Sequence, residues 1–353
     1  MAGIALLLVS YPLFYTQYKH YNLHHFPQDS PIYLRMAEHP FSNTETSPFR
    51  YRVLTPLLVK ITPFIPTYHT TLESKLAPQT QALFFRFMVI NYLWLLLSAV
   101  VIFELCYTQF GLSMGLSLLG GMAVLTAFTS ISNGYIPMTD AGTLFFITTL
   151  FWVMKQNRPW LFLGLALVGV LQKETVIAVA VFLVILSFWK SDNPRRTWVF
   201  LGALIPAIML YAGLKHLWPA PAFFGMETGD FGTGLQNLLN PNVLADKEAL
   251  SQIGLGFLPF FMAGLTHLGL WIKGRSLTFP KAYLALFPIL LIMGLYLGIG
   301  AGNIARVIGF GLPVFIPYAL TVFSAVLSKK PKNKPRTRDN TQPPNRRPLR
   351  TVV

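Results

Sequence analysis

The sequence predicts an all-α, polytopic transmembrane helical bundle of about ten spans, with no internal repeat at a fixed period. Three observations predict it. Apolar residues make up 53% of the 353 and charged residues only 12%, about half the charged share of a soluble domain. The apolar residues fall in runs too continuous for the alternating strands of a barrel, and helices are the other way to satisfy a backbone in lipid. The charges gather at the ends of those runs and in the connections between them.

The first run, 2–16, has no basic leader and no small-residue cleavage site, so it reads as a span and not as a removed signal. A long polar loop, 17–81, follows. Further runs cover 82–107, 110–131, 135–154, 159–172, 174–189, 197–216, 251–272, 281–300 and 304–328. As one helix, Pro159 to Trp189 would be about 46 Å long against a hydrocarbon core of about 30 Å. Gln172, Lys173, Glu174 and Thr175 interrupt it, and basic residues flank both ends: Lys155 and Arg158 before, Lys190, Arg195 and Arg196 after. Both ends therefore belong in the cytoplasm, which predicts two short helices with an outer turn between them.

The remaining connections extend this orientation. Lys273, Arg275 and Lys281 mark another cytoplasmic loop, and the tail from Lys329 is rich in Lys, Arg, Pro and Asn. Its composition predicts a disordered basic cytoplasmic tail over 329–353. Residues 1–328 then form one transmembrane domain with outer loops 17–81 and 217–250, and both termini are cytoplasmic. The formal net charge of +15 is read as positive-inside loops facing anionic membrane lipids, with no nucleic-acid partner. Cys106 is the only cysteine, which excludes an intrachain disulfide and a cysteine metal cluster.

This topology collects ionisable groups on the non-cytoplasmic side. The first outer loop carries Asp29, Tyr33, Arg50 and Arg52. Asp140 opens a span, Lys173 and Glu174 occupy the outer turn, Asn303 and Arg306 open the last span, and Glu227, Asp230, Asp246, Lys247 and Glu248 lie in the loop 217–250. Asp29 before Ser30 and Pro31 reads as a helix start. Arg50 and Arg52 suit bidentate phosphate binding beside an apolar run. His20 and His24 have a helical metal spacing but no clear further ligand, so no metal site is assigned.

On Asp29, the PFRYRVLTP segment of 48–56, Thr139-Asp140, Lys173-Glu174-Thr175 and Ala305-Arg306, the chain resembles the GT-C superfamily of membrane glycosyltransferases, especially its bacterial members. The resemblance implies a GT-C-like helical fold in a bacterial plasma membrane. It implies a polyprenyl-phosphate-linked sugar as donor and a lipid or glycan acceptor on the outer face. Asp29 matches the family's acid that serves as base or metal ligand, although Gln28 stands where a paired acid is usual; a divalent metal stays open as cofactor. Arg50, Arg52, Lys173 and Arg306 would then bind the donor phosphate, and Tyr33, Asp140 and Glu174 would hold or orient the sugar. Two other readings remain: a transporter or lipid flippase, and a noncatalytic scaffold of the same shape.

Overall fold

The computed structural model describes residues 2–20, 29–66, 78–127, 134, 136–188, 194–221, 247–275, 277, 279, 281–297 and 306–328. Among these the chain is all-helical, with thirteen α-helices and no strand. The helices are α1 Ala2–Val9, α2 Tyr11–His20, α3 Ser30–Glu38, α4 Leu54–Ile61, α5 Pro78–Glu104, α6 Met114–Thr126, α7 Asp140–Lys155, α8 Pro159–Gln172, α9 Thr175–Phe188, α10 Pro194–Leu217, α11 Lys247–Ile272, α12 Leu286–Leu297 and α13 Leu312–Leu327. A π-helical turn, Leu105–Gln109, prolongs α5.

Two helices, Pro78–Gln109 and Arg195–Leu217, combine the length and mean hydropathy (2.1 and 1.8) needed to cross a bilayer. Six shorter apolar helices accompany them among the described residues. Ten full spans is thus a finer count than the helices carry. The expected first span is two helices broken at Ser10, whose hydroxyl bonds Leu7 O at 2.6 Å and Tyr92 on α5 at 2.5 Å. The run expected over 281–300 begins as a 3₁₀ turn, Lys281–Ala285, before α12.

The connections follow local chemistry. Asn157 takes φ 60 between α7 and α8, a left-handed value that asparagine tolerates, and Pro159 opens α8. Gly274, at φ 70, ends α11, and Arg275 N–H returns to Leu270 O at 2.9 Å. Within the stretch 17–81, the described residues 29–66 carry α3, a 3₁₀ turn at Phe49–Tyr51, and α4.

α5 is the central post, packed against α6 and α7, while α8 lies between α7 and α10. One large apolar core joins these helices through Ala99, Ile102, Ile147, Phe151, Phe162 and Phe200. A smaller core of Tyr33, Met36, Phe49, Val59 and Phe87 seats α3 and α4 against the α5 end. That smaller core lies directly under the charged groups.

Candidate functional site

Four separate segments deliver charged side chains to one place. At Lys173 the backbone turns extended (φ −171, ψ 138), which ends α8 and starts α9 two residues later. The break leaves Lys173 and Glu174 at the turn. Asp140 is the first residue of α7, and the segment before it is tied to α5 by Asn91 Nδ2 donating to Ile136 O at 3.0 Å. Arg52 follows the 3₁₀ turn, and Arg306 opens a helical turn ahead of α13.

Asp140 is 1% exposed and carries two cations on one carboxylate. Lys173 Nζ donates to Oδ1 at 2.7 Å and Arg306 Nη2 donates to Oδ2 at 2.6 Å. Lys173 also lies 5.6 Å from the Phe310 ring centre, which ties the last segment to the turn. Beside this triad, Arg52 forms a fork-to-fork pair with Glu174, through Nε to Oε2 at 3.0 Å and Nη2 to Oε1. Its remaining Nη1 donates to Tyr33 OH at 3.0 Å, and the guanidinium lies over Phe49 at 5.0 Å. Three cations share two carboxylates, so the cluster holds one positive charge in excess, at the N-terminal and partly positive end of α7.

The electrostatics follow the packing. Burial disfavours the Arg52 cation, but Glu174 and then Tyr33 hold its pKa well above the ordinary value. Burial likewise pushes Glu174 up, and the charge and hydrogen bonds of Arg52 bring it below the usual glutamate range. Burial pushes the Lys173 ammonium down, against the pull of Asp140, and the neighbouring Arg52 and Arg306 add to the lowering. Tyr33 is raised by burial despite Arg52, so its phenol stays protonated.

A neutral brace aligns the two ionic groups. Gln172 is fully buried; its Nε2 donates to Thr139 O at 2.7 Å and its Oε1 accepts from the Thr55 hydroxyl at 2.9 Å. Gly142 leaves the room this amide needs, since a Cβ there would collide with it. Thr139 Oγ1 is 3.3 Å from Tyr33 OH. A polar chain thus runs from Thr55 through Gln172, Thr139 and Tyr33 to Arg52. Sequence reasoning missed Thr55 and Gln172 as parts of the site; the signal was a polar residue inside an otherwise apolar helical stretch.

The other candidate residues fall elsewhere. Arg50 does not join the cluster: its guanidinium donates to Pro219 O and Asn43 O and lies 5.4 Å from the Trp218 ring, holding the end of α10 to the segment between α3 and α4. Asp29 sits at the start of α3, half-buried, with no side-chain capping bond, and within electrostatic reach of Tyr33. Lys247 is exposed at the start of α11. His24, Glu227, Asp230, Asp246, Asn303 and the tail 329–353 lie outside the described residues, as do the side chains of His20 and Glu248.

Among the described residues no group of three or more His, Cys, Asp or Glu side chains could hold a metal. Asp140 and Glu174 are engaged by Lys173, Arg306 and Arg52. No protein family, curated protein or solved structure matches this chain.

Proposed function

We propose that the chain is a membrane glycosyltransferase that moves a sugar from a polyprenyl-phosphate donor to a lipid or glycan acceptor on the non-cytoplasmic face of a bacterial plasma membrane. The observation that carries this reading is the single Asp140 carboxylate holding both Lys173 and Arg306 at one end of an apolar helical bundle. Such a triad aims two cations at one spot and keeps net positive charge there, the environment a lipid phosphate needs.

Each residue then has a part. Asp29 accepts the proton of an acceptor hydroxyl. That oxygen attacks the anomeric carbon, the bond from this carbon to the phosphate oxygen breaks, and its electron pair stays on the phosphate. The leaving group is already an anion, so cations replace a protonating acid; Lys173 and Arg306 supply them, and Asp140 positions both. Arg52 is held by Glu174 and Tyr33 through three hydrogen bonds, which makes that trio a wall of the site and leaves the phosphate seat to Lys173 and Arg306. Glu174 keeps 30% of its side chain exposed and can accept sugar hydroxyls. Arg50 is scaffold. The prenyl tail lies along the apolar helices.

The test is transfer from a labelled polyprenyl-phosphate sugar in membranes carrying the full chain. Asp29→Asn lowers the rate by about 10²–10⁴, and Arg306→Gln lowers it by about 10² or more. Arg50→Lys leaves the rate within a few-fold of wild type. Undiminished transfer in Asp29→Asn removes the base role, and undiminished transfer in Arg306→Gln removes the phosphate seat. Flux of the unmodified lipid across sealed vesicles without transfer would replace the reading with a flippase.

A further inference from the structure

The end of the molecule opposite the ionic network carries a different pattern. Trp160, Trp198 and Trp271 are 83%, 66% and 62% exposed. Each stands two or three residues from an exposed cation: Arg158, Arg195 and Lys273 respectively.

These three pairs share one end of the bundle. Phe162 and Phe200 meet edge to face at 5.0 Å, which sets α8 and α10 side by side near their N-terminal ends. Arg196, beside Arg195, donates to Met154 O and, at 3.1 Å, to Lys155 O at the close of α7. Lys155 in turn lies 4.4 Å from the Tyr283 ring centre, and Phe279 stacks on Phe110 beyond the end of α5 at 5.3 Å. The connection that starts with Lys273 therefore returns to the same end. Among acids whose side chains are described, Asp29, Glu38, Glu45, Asp140 and Glu174 belong to the network end or its loop, and Glu104 alone sits in the half with the tryptophans. At the network end the corresponding tryptophan, Trp218, is half-buried and donates its indole N–H to Asn43 Oδ1.

We infer that this end is a collar for anionic phospholipid headgroups. Exposed indoles with one apolar and one polar edge settle at the headgroup level of a bilayer. At that level no ion pair to a described carboxylate engages Arg158, Arg195 or Lys273, and the complementary charge is a lipid phosphate, taken as a fork by the arginines and as a point charge by the lysine. The collar rests on the membrane location but not on glycosyl transfer; a chain with no transferase activity would keep it.

The experiment reconstitutes the full chain in phosphatidylcholine vesicles and reads tryptophan quenching by brominated phosphatidylglycerol against brominated phosphatidylcholine at equal mole fraction. Wild type shows stronger quenching by the anionic lipid, and the excess shrinks as salt is raised. Each cation removed among Arg158→Gln, Arg195→Gln and Lys273→Gln lowers the enrichment about fivefold at low ionic strength, and Arg158→Lys with Arg195→Lys retains it. Equal quenching by the two lipids in wild type overturns the collar, as does an excess that survives the triple neutralisation. An excess abolished by inorganic phosphate but not by chloride of equal ionic strength assigns the cations to a free anion and overturns the lipid. Absence of quenching by both lipids overturns the membrane location itself, whereas failure of the transfer assay leaves the quenching result standing.

Discussion

The two ends of this molecule use the same cationic side chains in opposite ways. At one end Arg52, Lys173 and Arg306 are largely buried, and each meets a carboxylate. At the other end Arg158, Arg195 and Lys273 are exposed beside tryptophans. A buried cation without a counter-charge costs several kcal/mol, whereas an exposed one costs almost nothing. The ionic end is therefore a specified constellation whose parts depend on one another. The basic end is a set of nearly independent charges that can serve a fluid partner.

The comparison breaks first at Asp140. Asp140→Asn leaves two cations facing one another without their shared carboxylate. It destabilises the fold by about 3 kcal/mol, at the low end for a buried pair because Arg306 keeps some contact with solvent. Thermal unfolding in detergent measures it, and a shift indistinguishable from a surface substitution would mean that the triad is not a unit.

A smaller effect belongs to Glu174, whose side chain is 30% exposed. Glu174→Gln costs about 1–2 kcal/mol at neutral pH. Its pKa is lowered in the folded chain, so the unfolded state binds its proton more readily. The stabilisation is present above the ordinary glutamate value of about 4.3 and is lost as pH falls through the folded value. Wild type and Glu174→Gln therefore converge in stability on acidification; a gap that stays constant across the acidic range would refute the pairing.

The smallest effect is at the basic end. Arg158→Gln changes stability by no more than about 0.5 kcal/mol in neutral detergent. A larger loss there would show that the collar carries part of the fold and would blur the contrast between the ends.

Much of the architecture was legible along the chain. Apolar runs without alternation specify helices whatever their packing, because lipid-exposed backbone has no other partner. The interruption at Gln172 to Thr175 was legible because basic residues on both flanks demanded an even number of crossings. That same parity gathered Asp140, Lys173, Glu174 and Arg306 on one face before any contact was known. The number of full spans was not legible, because an apolar run reads the same whether it opens as an α-helix or, as at Lys281–Ala285, as a 3₁₀ turn ahead of one. Nor was the parting of Arg50 and Arg52. Two apart beside an apolar run, they look alike in sequence; a 3₁₀ turn sends one to backbone carbonyls at Pro219 and Asn43 and the other into Glu174. Gln172 and Thr55 showed only as polar residues in apolar stretches, a signal that acquires meaning from what lies opposite.

By itself the amino-acid sequence determined that this protein is helical, where its charges cluster, and which end is basic. Those properties follow from hydropathy and charge, which act residue by residue. Only the tertiary structure decided that one carboxylate at the start of α7 holds two cations from segments 33 and 166 residues away. Ion-pair and hydrogen-bond energies depend on ångström distances, and those exist only once the helices have packed.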